Sequence, residues 1–274
     1  MNLKHLETIG YVYIPNFLSA TELKLLNSEF NHSEVVENKN YALVQSALAK
    51  KILGKKIKAM MDAVNEQTEL HVDHITSTVN YMDTENLFFD WHQDHESYYV
   101  YQQSKNHLNF YMPIVKPDPA KSGMSLIPVD KILEYLTGPQ VDRIINSGAK
   151  RFELHTHYTE VFDDETGKGF KIPVNLNRIA VSPELNAGDL LLVRGDVIHK
   201  TQDASTHRVA ISVRVTDGAA PVSLKKLQTG CEAKKNYIKR NQAYYDGIID
   251  LFNQAKTDKI LSSDIDKGSN TWNI

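Results

Sequence analysis

The chain has 274 residues, with 31 Lys and Arg against 34 Asp and Glu and a formal charge of −3 at pH 7. That balance excludes the broad basic footprint of a nucleic-acid binder, and 41% hydrophobic with 24% charged residues is ordinary soluble composition. The single cysteine, Cys231, excludes an intrachain disulfide and a Cys-rich metal site, no stretch approaches the roughly 20 apolar residues of a membrane span, and Met1-Asn2-Leu3-Lys4-His5 lacks a signal-peptide apolar run, so a cytoplasmic protein is expected.

In chain order, residues 3–7 read as a short helix ended by Gly10, and Tyr11 to Ile14 alternates as a strand does. Ser19-Ala20-Thr21-Glu22 is a capping-box pattern, with Leu23, Leu25 and Leu26 following at helical spacing. Strong helix formers predict a longer helix from about Ala42 to Glu66. From His74 the period changes to two: Ile75, Ser77, Val79 and Tyr81 alternate with Thr76, Thr78 and Asn80. Further strands are predicted at Leu108–Val115, Met124–Ile127, Phe152–Tyr158, Asp189–Val193 and Arg208–Val215. Pro117-Asp118-Pro119 and Ser122-Gly123 mark breaks. Lys131 to Ile145 is a helical or looped insertion. Glu232 to about Ala255 reads as a terminal helix, with Ile238, Tyr245, Ile248, Ile249 and Phe252 as its apolar positions. Helices first, many short strands and a last helix predict a mainly β fold with flanking helices, a sandwich or jelly roll.

The chemistry-bearing residues begin at His92-Gln93-Asp94. On a strand, residues i and i+2 project from one face, so His92 and Asp94 can reach one metal while Gln93 turns away. A distant third ligand would complete a facial triad of two His and one carboxylate. The motif alone is weak, because four His-x-acid pairs occur in this chain. His5-Leu6-Glu7 and His32-Ser33-Glu34 fall in or beside helices, where i and i+2 do not face each other. His71-Val72-Asp73-His74 is the serious competitor. His92 stands apart by its setting among Phe88, Phe89, Trp91, Tyr98 and Tyr99, which would shield a metal from water.

Downstream, Leu185 to Val193 reads as a turn and a buried strand, Gly195-Asp196 as a second turn, and His199 follows the apolar pair Val197-Ile198. Nine residues later a strand begins at Arg208, and alternation places Arg208, Ala210, Ser212 and Arg214 on one face. A guanidinium on an apolar inner face is costly unless it meets an anion, and a carboxylate held bidentately is its natural partner. The bland alternative for Arg208 is an ion pair with an acidic side chain at a barrel rim.

These segments together resemble the phytanoyl-CoA dioxygenase-like branch of the iron(II)- and 2-oxoglutarate-dependent oxygenases, over roughly residues 5–216. Gly10 to Ser19 is similar to that family's opening strand and helix start, and Trp91-His92-Gln93-Asp94 to its proximal metal motif. Ser122 to Pro128 resembles its mid-domain segment, Ala187-Gly188-Asp189 to His199 its lead-in to the distal ligand, and Arg208-Val209-Ala210-Ile211-Ser212 its 2-oxoglutarate strand. Val129-Asp130-Lys131 stands where the family usually has Gly-Ser-His, and the spacing from His199 to Arg208 is two residues shorter than usual.

The resemblance implies a double-stranded β-helix, the cupin-like jelly roll, over residues 1–218, with a helical extension at 219–274 packing on it. It implies Fe(II) held by His92, Asp94 and His199, and 2-oxoglutarate held by Arg208 with help from Ser212, from Thr76, Thr78 and Asn80 on one face of a strand, and from Asn109 or Tyr111. O2 would be the other cosubstrate, and hydroxylation with release of succinate and CO2 the reaction. Desaturation, epoxidation or cyclisation on the same iron, an acyl-CoA substrate and a non-catalytic binding barrel are the alternatives. Halogenation is disfavoured because Asp94 is retained. Tyr98, Tyr99, Tyr101, Lys105, His107, Arg151, His155 and His157 form a polar, partly cationic set suited to a small metabolite, such as an amino acid or natural-product intermediate. No nucleic-acid or membrane partner is expected, and the terminal helix would cover the barrel or form a homodimer.

Overall fold

Tyr11–Ile14 (β1), Tyr41–Leu43 (β2), His74–Asp83 (β3), His107–Val115 (β4), Leu190–Arg194 (β9) and Val209–Thr216 (β11) form one antiparallel sheet in the order β1-β9-β4-β11-β3-β2. The structure, a computed structural model, describes residues 2–32, 41–83, 88–95 and 97–265. A second layer holds Met124–Leu126 (β5), Lys150–Leu154 (β6), Thr159–Asp163 (β7), Gly169–Ile172 (β8) and His199–Thr201 (β10). Here β10 pairs with β5, and β6, β7 and β8 form a meander. His92 joins the two groups through bridges to both Arg151 and His199.

Alternation decides which face of the large sheet meets which core. Leu108, Phe110, Met112 and Ile114 of β4 share one core with Val209, Ile211, Val213 and Val215 of β11. After the short helix His5–Thr8 (α1), two helices, Ala20–Asn31 (α2) and Ala47–Gln67 (α3), cover that face with Leu26, Leu53, Ile57, Met61 and Val64. The alternate residues Asn109, Tyr111, Ser212 and Arg214 point the other way, into the space between the layers. The pairing of β11 with β3 shifts register between Val213 and Val215, where β3 steps from Val79 to Ile75, so the irregularity lies on β3 opposite Arg214.

Several boundaries differ from the sequence expectation. The long helix starts at Ala47, not Ala42, because Ser46 caps it by accepting from the Ala49 amide at 2.9 Å. Ala42 and Leu43 instead extend the sheet edge opposite Tyr81 and Asn80. The single strand expected over 152–158 ends at Leu154, where a turn closed by the His155 amide on the Tyr158 carbonyl starts β7. The insertion resolves into two short helices, Val129–Leu133 (α4) and Pro139–Ile144 (α5), with Gly138 and Pro139 enforcing the break.

Beyond β11 lie Pro221–Ser223 (β12) and Leu224–Gln228 (α6). The expected terminal helix is two, Glu232–Arg240 (α7) and Gln242–Ala255 (α8), divided at Asn241, whose backbone leaves the helical region. A last strand, Lys259–Leu261 (β13), pairs with β12. Tyr245, Ile248 and Phe252 of α8 bury against Tyr99, Val100 and Tyr101, which belong to a π-helical turn at Ser97–Tyr101 just after the His-x-Asp motif. Among the described residues no helix is long and apolar enough to cross a membrane.

Candidate metal and cosubstrate site

Backbone pairing brings the proximal and distal motifs together. The His92 amide donates to the His199 carbonyl at 2.9 Å, and the His199 amide returns the bond to His92 at 3.0 Å. Paired residues of this kind project to the same side, and the two imidazoles lie 4.3 Å apart between centroids. Asp94 reaches the same point: its Oδ1 is 3.8 Å from His92 Nε2 and 3.6 Å from His199 Nε2. One donor atom from each of the three lies within 4.8 Å of the others.

The ring orientations are set from behind. His92 Nδ1 donates to the Asp90 carbonyl at 2.7 Å, and His199 Nδ1 donates to the Val197 carbonyl at 2.9 Å. With the proton fixed on Nδ1, both Nε2 lone pairs face Asp94, which is the arrangement a metal-ligating histidine needs. Burial, then the neighbouring His199, pushes the His92 pKa down to about 3, so the ring is neutral at physiological pH. Burial alone would raise the Asp94 pKa, but Arg214 foremost, then His199 and His92, hold it well below the usual carboxylate range. Two imidazoles presenting Nε2 and one carboxylate therefore fit a divalent cation. Gln93 faces away and is buried, its Nε2 donating to the carbonyls of Ile144 and Asp196.

The three residues open on a cavity of about 660 Å³. Within it Arg208 is 3% exposed and its Nη1 donates to the Tyr111 hydroxyl at 2.7 Å. Ser212 Oγ donates to Asn109 Oδ1 at 2.9 Å, and Asn80 lines the same wall. Thr78 lies on β3, but its side chain is outside the described residues. Tyr98, Tyr99, Tyr101, Lys105, His107, His155 and His157 do not line the cavity, whereas Arg151 does.

Sequence reasoning passed over Lys116, which sits at the end of β4 and is 7% exposed. Its amine donates to the Lys121 carbonyl. Burial first, then the Arg208 charge, pushes its pKa down to about 8, against the opposite pull of Asp203 and Asp118. The available signal was a lysine directly after the apolar run Pro113-Ile114-Val115. A second cluster, His71, Asp73 and Asp217, also groups three donor atoms, but two of its members are exposed and it opens on no described cavity.

No protein-family model and no curated protein sequence matches this chain. Solved structures do. The non-heme α-ketoglutarate-dependent carbocyclase SnoK of nogalamycin biosynthesis is similar with a TM-score of 0.53 and 14% identity, over 80% of this chain and 83% of that one. The non-heme α-ketoglutarate-dependent epimerase SnoN of the same biosynthesis gives 0.52 and 16%, over the same shares of the two chains. HygX from Streptomyces hygroscopicus, with nickel and 2-oxoglutarate bound, gives 0.50 and 11%, over 78% of this chain and 85% of that one. At these identities the likeness establishes the fold, a double-stranded β-helix with flanking helices.

Proposed function

We propose that this protein is an Fe(II)- and 2-oxoglutarate-dependent oxygenase, of the phytanoyl-CoA dioxygenase-like branch, that hydroxylates an aliphatic C–H bond of a small polar metabolite. The observation that carries the reading is the triad of His92, Asp94 and His199 opening on the same cavity as a buried arginine, Arg208. The SnoK, SnoN and HygX names supply the cofactor class that such a triad would hold.

Iron with 2-oxoglutarate and O2 supplies an oxidant strong enough to take hydrogen from an unactivated carbon; one oxygen atom ends in succinate, beside CO2, and the other in the product hydroxyl. The chain's own residues do the rest. His92, Asp94 and His199 hold the ion and leave its remaining positions open. Arg208, supported by the Tyr111 hydroxyl, holds the distal carboxylate of the diacid, with Lys116 reinforcing the positive charge behind it. Ser212 and Asn109 offer polar atoms along the same wall. Phe89, Trp91 and Phe152 exclude water from the reacting carbon. A second outcome, ring closure or epimerisation on the same centre, is supported by the SnoK and SnoN names.

The test is Fe(II)-dependent conversion of 2-oxoglutarate to succinate across a panel of amino acids, acyl-CoAs and small natural-product acids. Arg208→Ala should raise the 2-oxoglutarate requirement about 10- to 100-fold, the scale of a lost charge-assisted contact. An unchanged requirement would refute the role given to Arg208. Isotopic O2 then separates hydroxylation, which labels the product, from ring closure, which does not.

A further inference from the structure

The wall beyond the metal is built around a second arginine. Arg151 is bridged to His92 across β6, so its side chain leaves the sheet on the same side as the metal ligand, one strand spacing away. Asp164 holds it: Nε donates to Oδ2 at 2.6 Å and Nη2 to Oδ1 at 2.9 Å. The fork leaves Nη1 with no hydrogen-bond partner among the described residues, with the guanidinium 5.5 Å from the Phe162 ring centroid, on a side chain that is 57% exposed and lines the cavity. His95 Nε2 also meets Asp164 Oδ2, at 3.0 Å, and the His95 ring stacks on Tyr237 with 5.5 Å between centroids and planes 17° apart. Tyr237 comes from α7, in the C-terminal helices, and lines the same cavity.

Charge favours an anionic guest. Four cations line the cavity, Arg151, Lys200, Arg208 and Arg214, against the two acids Asp90 and Asp94. With Asp164 counted against Arg151, four cations face three acids and the cavity keeps one positive charge in excess. A guanidinium already locked by one carboxylate loses little freedom when it binds another, which is the condition for a specificity contact. The flat His95–Tyr237 face, in a cavity also lined by the Phe89 and Phe152 rings, suits a planar, unsaturated body.

We propose that this wall is a recognition subsite for a substrate carboxylate, with Arg151 as the anchor and the His95–Tyr237 stack as the face against which the ring carrying that carboxylate lies. The subsite deepens the oxygenase reading and rests on it. The substrate class is thus an aromatic or similarly flat carboxylic acid, held by the protein and not by the iron.

The experiment uses the full chain loaded with Ni(II), which is redox-inert here, and saturating 2-oxoglutarate, so that Arg208 is already occupied. Phenylacetate, phenylacetamide, phenethylamine and acetate are titrated by calorimetry or saturation-transfer NMR. Phenylacetate should bind at least about 10-fold more tightly than the other three, and Arg151→Gln should abolish its advantage over phenylacetamide, a loss of about 10- to 100-fold. Tyr237→Ala should weaken phenylacetate yet keep its preference over the amide, and it guards against an Arg151 variant that fails to fold. Equal binding of acid and amide, or a preference that survives in Arg151→Gln, overturns the proposal. Titration of 2-oxoglutarate into the Ni(II) protein tests the underlying reading separately. Should that fail, the same acid and amide compared in metal-free wild-type and Arg151→Gln protein still decide the role of Arg151.

Discussion

His92 and His199 are fixed by backbone: they face each other across a reciprocal pair of amide bonds, and main-chain carbonyls set both rings. Arg151 shares the same backbone bridge, yet its guanidinium takes its position from a side chain, Asp164. Asp164 is in turn held in a turn that the C-terminal helices clamp. The Cys231 amide donates to the Glu165 carbonyl, the Tyr99 hydroxyl donates to the Asp164 carbonyl, and buried Lys234 pairs with Glu165 at 3.0 Å. The metal end is therefore a property of the sheet, while the far wall depends on contacts relayed from α7. One scaffold can then keep its metal chemistry constant while the relayed wall sets what is oxidised.

The largest effect should come from breaking the metal end. Asp94→Ala removes the one anionic ligand, and metal affinity should fall by more than the 10- to 100-fold that losing an outer-sphere partner costs. Equilibrium dialysis with Ni(II) or Fe(II) measures this directly. Retention of wild-type affinity would move the ion elsewhere, with the His71 cluster the first alternative to check.

Next in size is a break confined to the far wall. Lys234 is 1% exposed, and Lys234→Met would leave the Glu165 carboxylate without its cation. Removing one partner of a buried pair costs about 3 kcal/mol, and urea unfolding should show a loss of that order. Adding Glu165→Gln should recover part of it, because the stranded charge is then gone. Metal affinity should stay at the wild-type value in both proteins. A parallel loss of metal binding would mean that the two ends are not independent.

The contrast between the two ends also explains what could be read from the sequence. The metal residues sit in local patterns: a His-x-Asp on extended chain, a His after an apolar pair, an Arg in phase on an alternating strand. The period-two rule that places Asn109, Ser212 and Arg214 on the inner face needs only neighbouring residues. Arg151 lines the cavity as expected, but its partner Asp164 and the stacking Tyr237 were invisible, since they meet only through turns and helices far apart in the chain. The missed hairpin of β7 and β8 has the same origin. Its strands are short, and the turn at Asp163-Asp164-Glu165-Thr166-Gly167 reads as generic polar loop. Asn241 divides the terminal helix without a Pro or Gly to announce it.

The smallest effect concerns His107, a buried ring at the start of β4 whose nitrogens find no hydrogen-bond partner among the described residues. Burial first, then the Arg214 charge, pushes its pKa down to about 4, with Asp94 pulling weakly the other way. In the unfolded chain a histidine titrates near 6.5. Between about pH 6.5 and 4 the unfolded state therefore holds a proton that the folded state refuses, and stability must fall as pH falls through that window. His92, depressed further to about 3, adds to the same slope and extends it to lower pH. His107→Leu removes only the first contribution. Stability at pH 7 should change by no more than about 1 kcal/mol, because a buried polar group without a partner gives way to an apolar one. The difference should appear at pH 5, where the wild-type protein has lost more of its neutral-pH stability than the variant. Urea midpoints at the two pH values give the comparison, and parallel curves would mean that a partner for His107, such as buried water, already satisfies the ring.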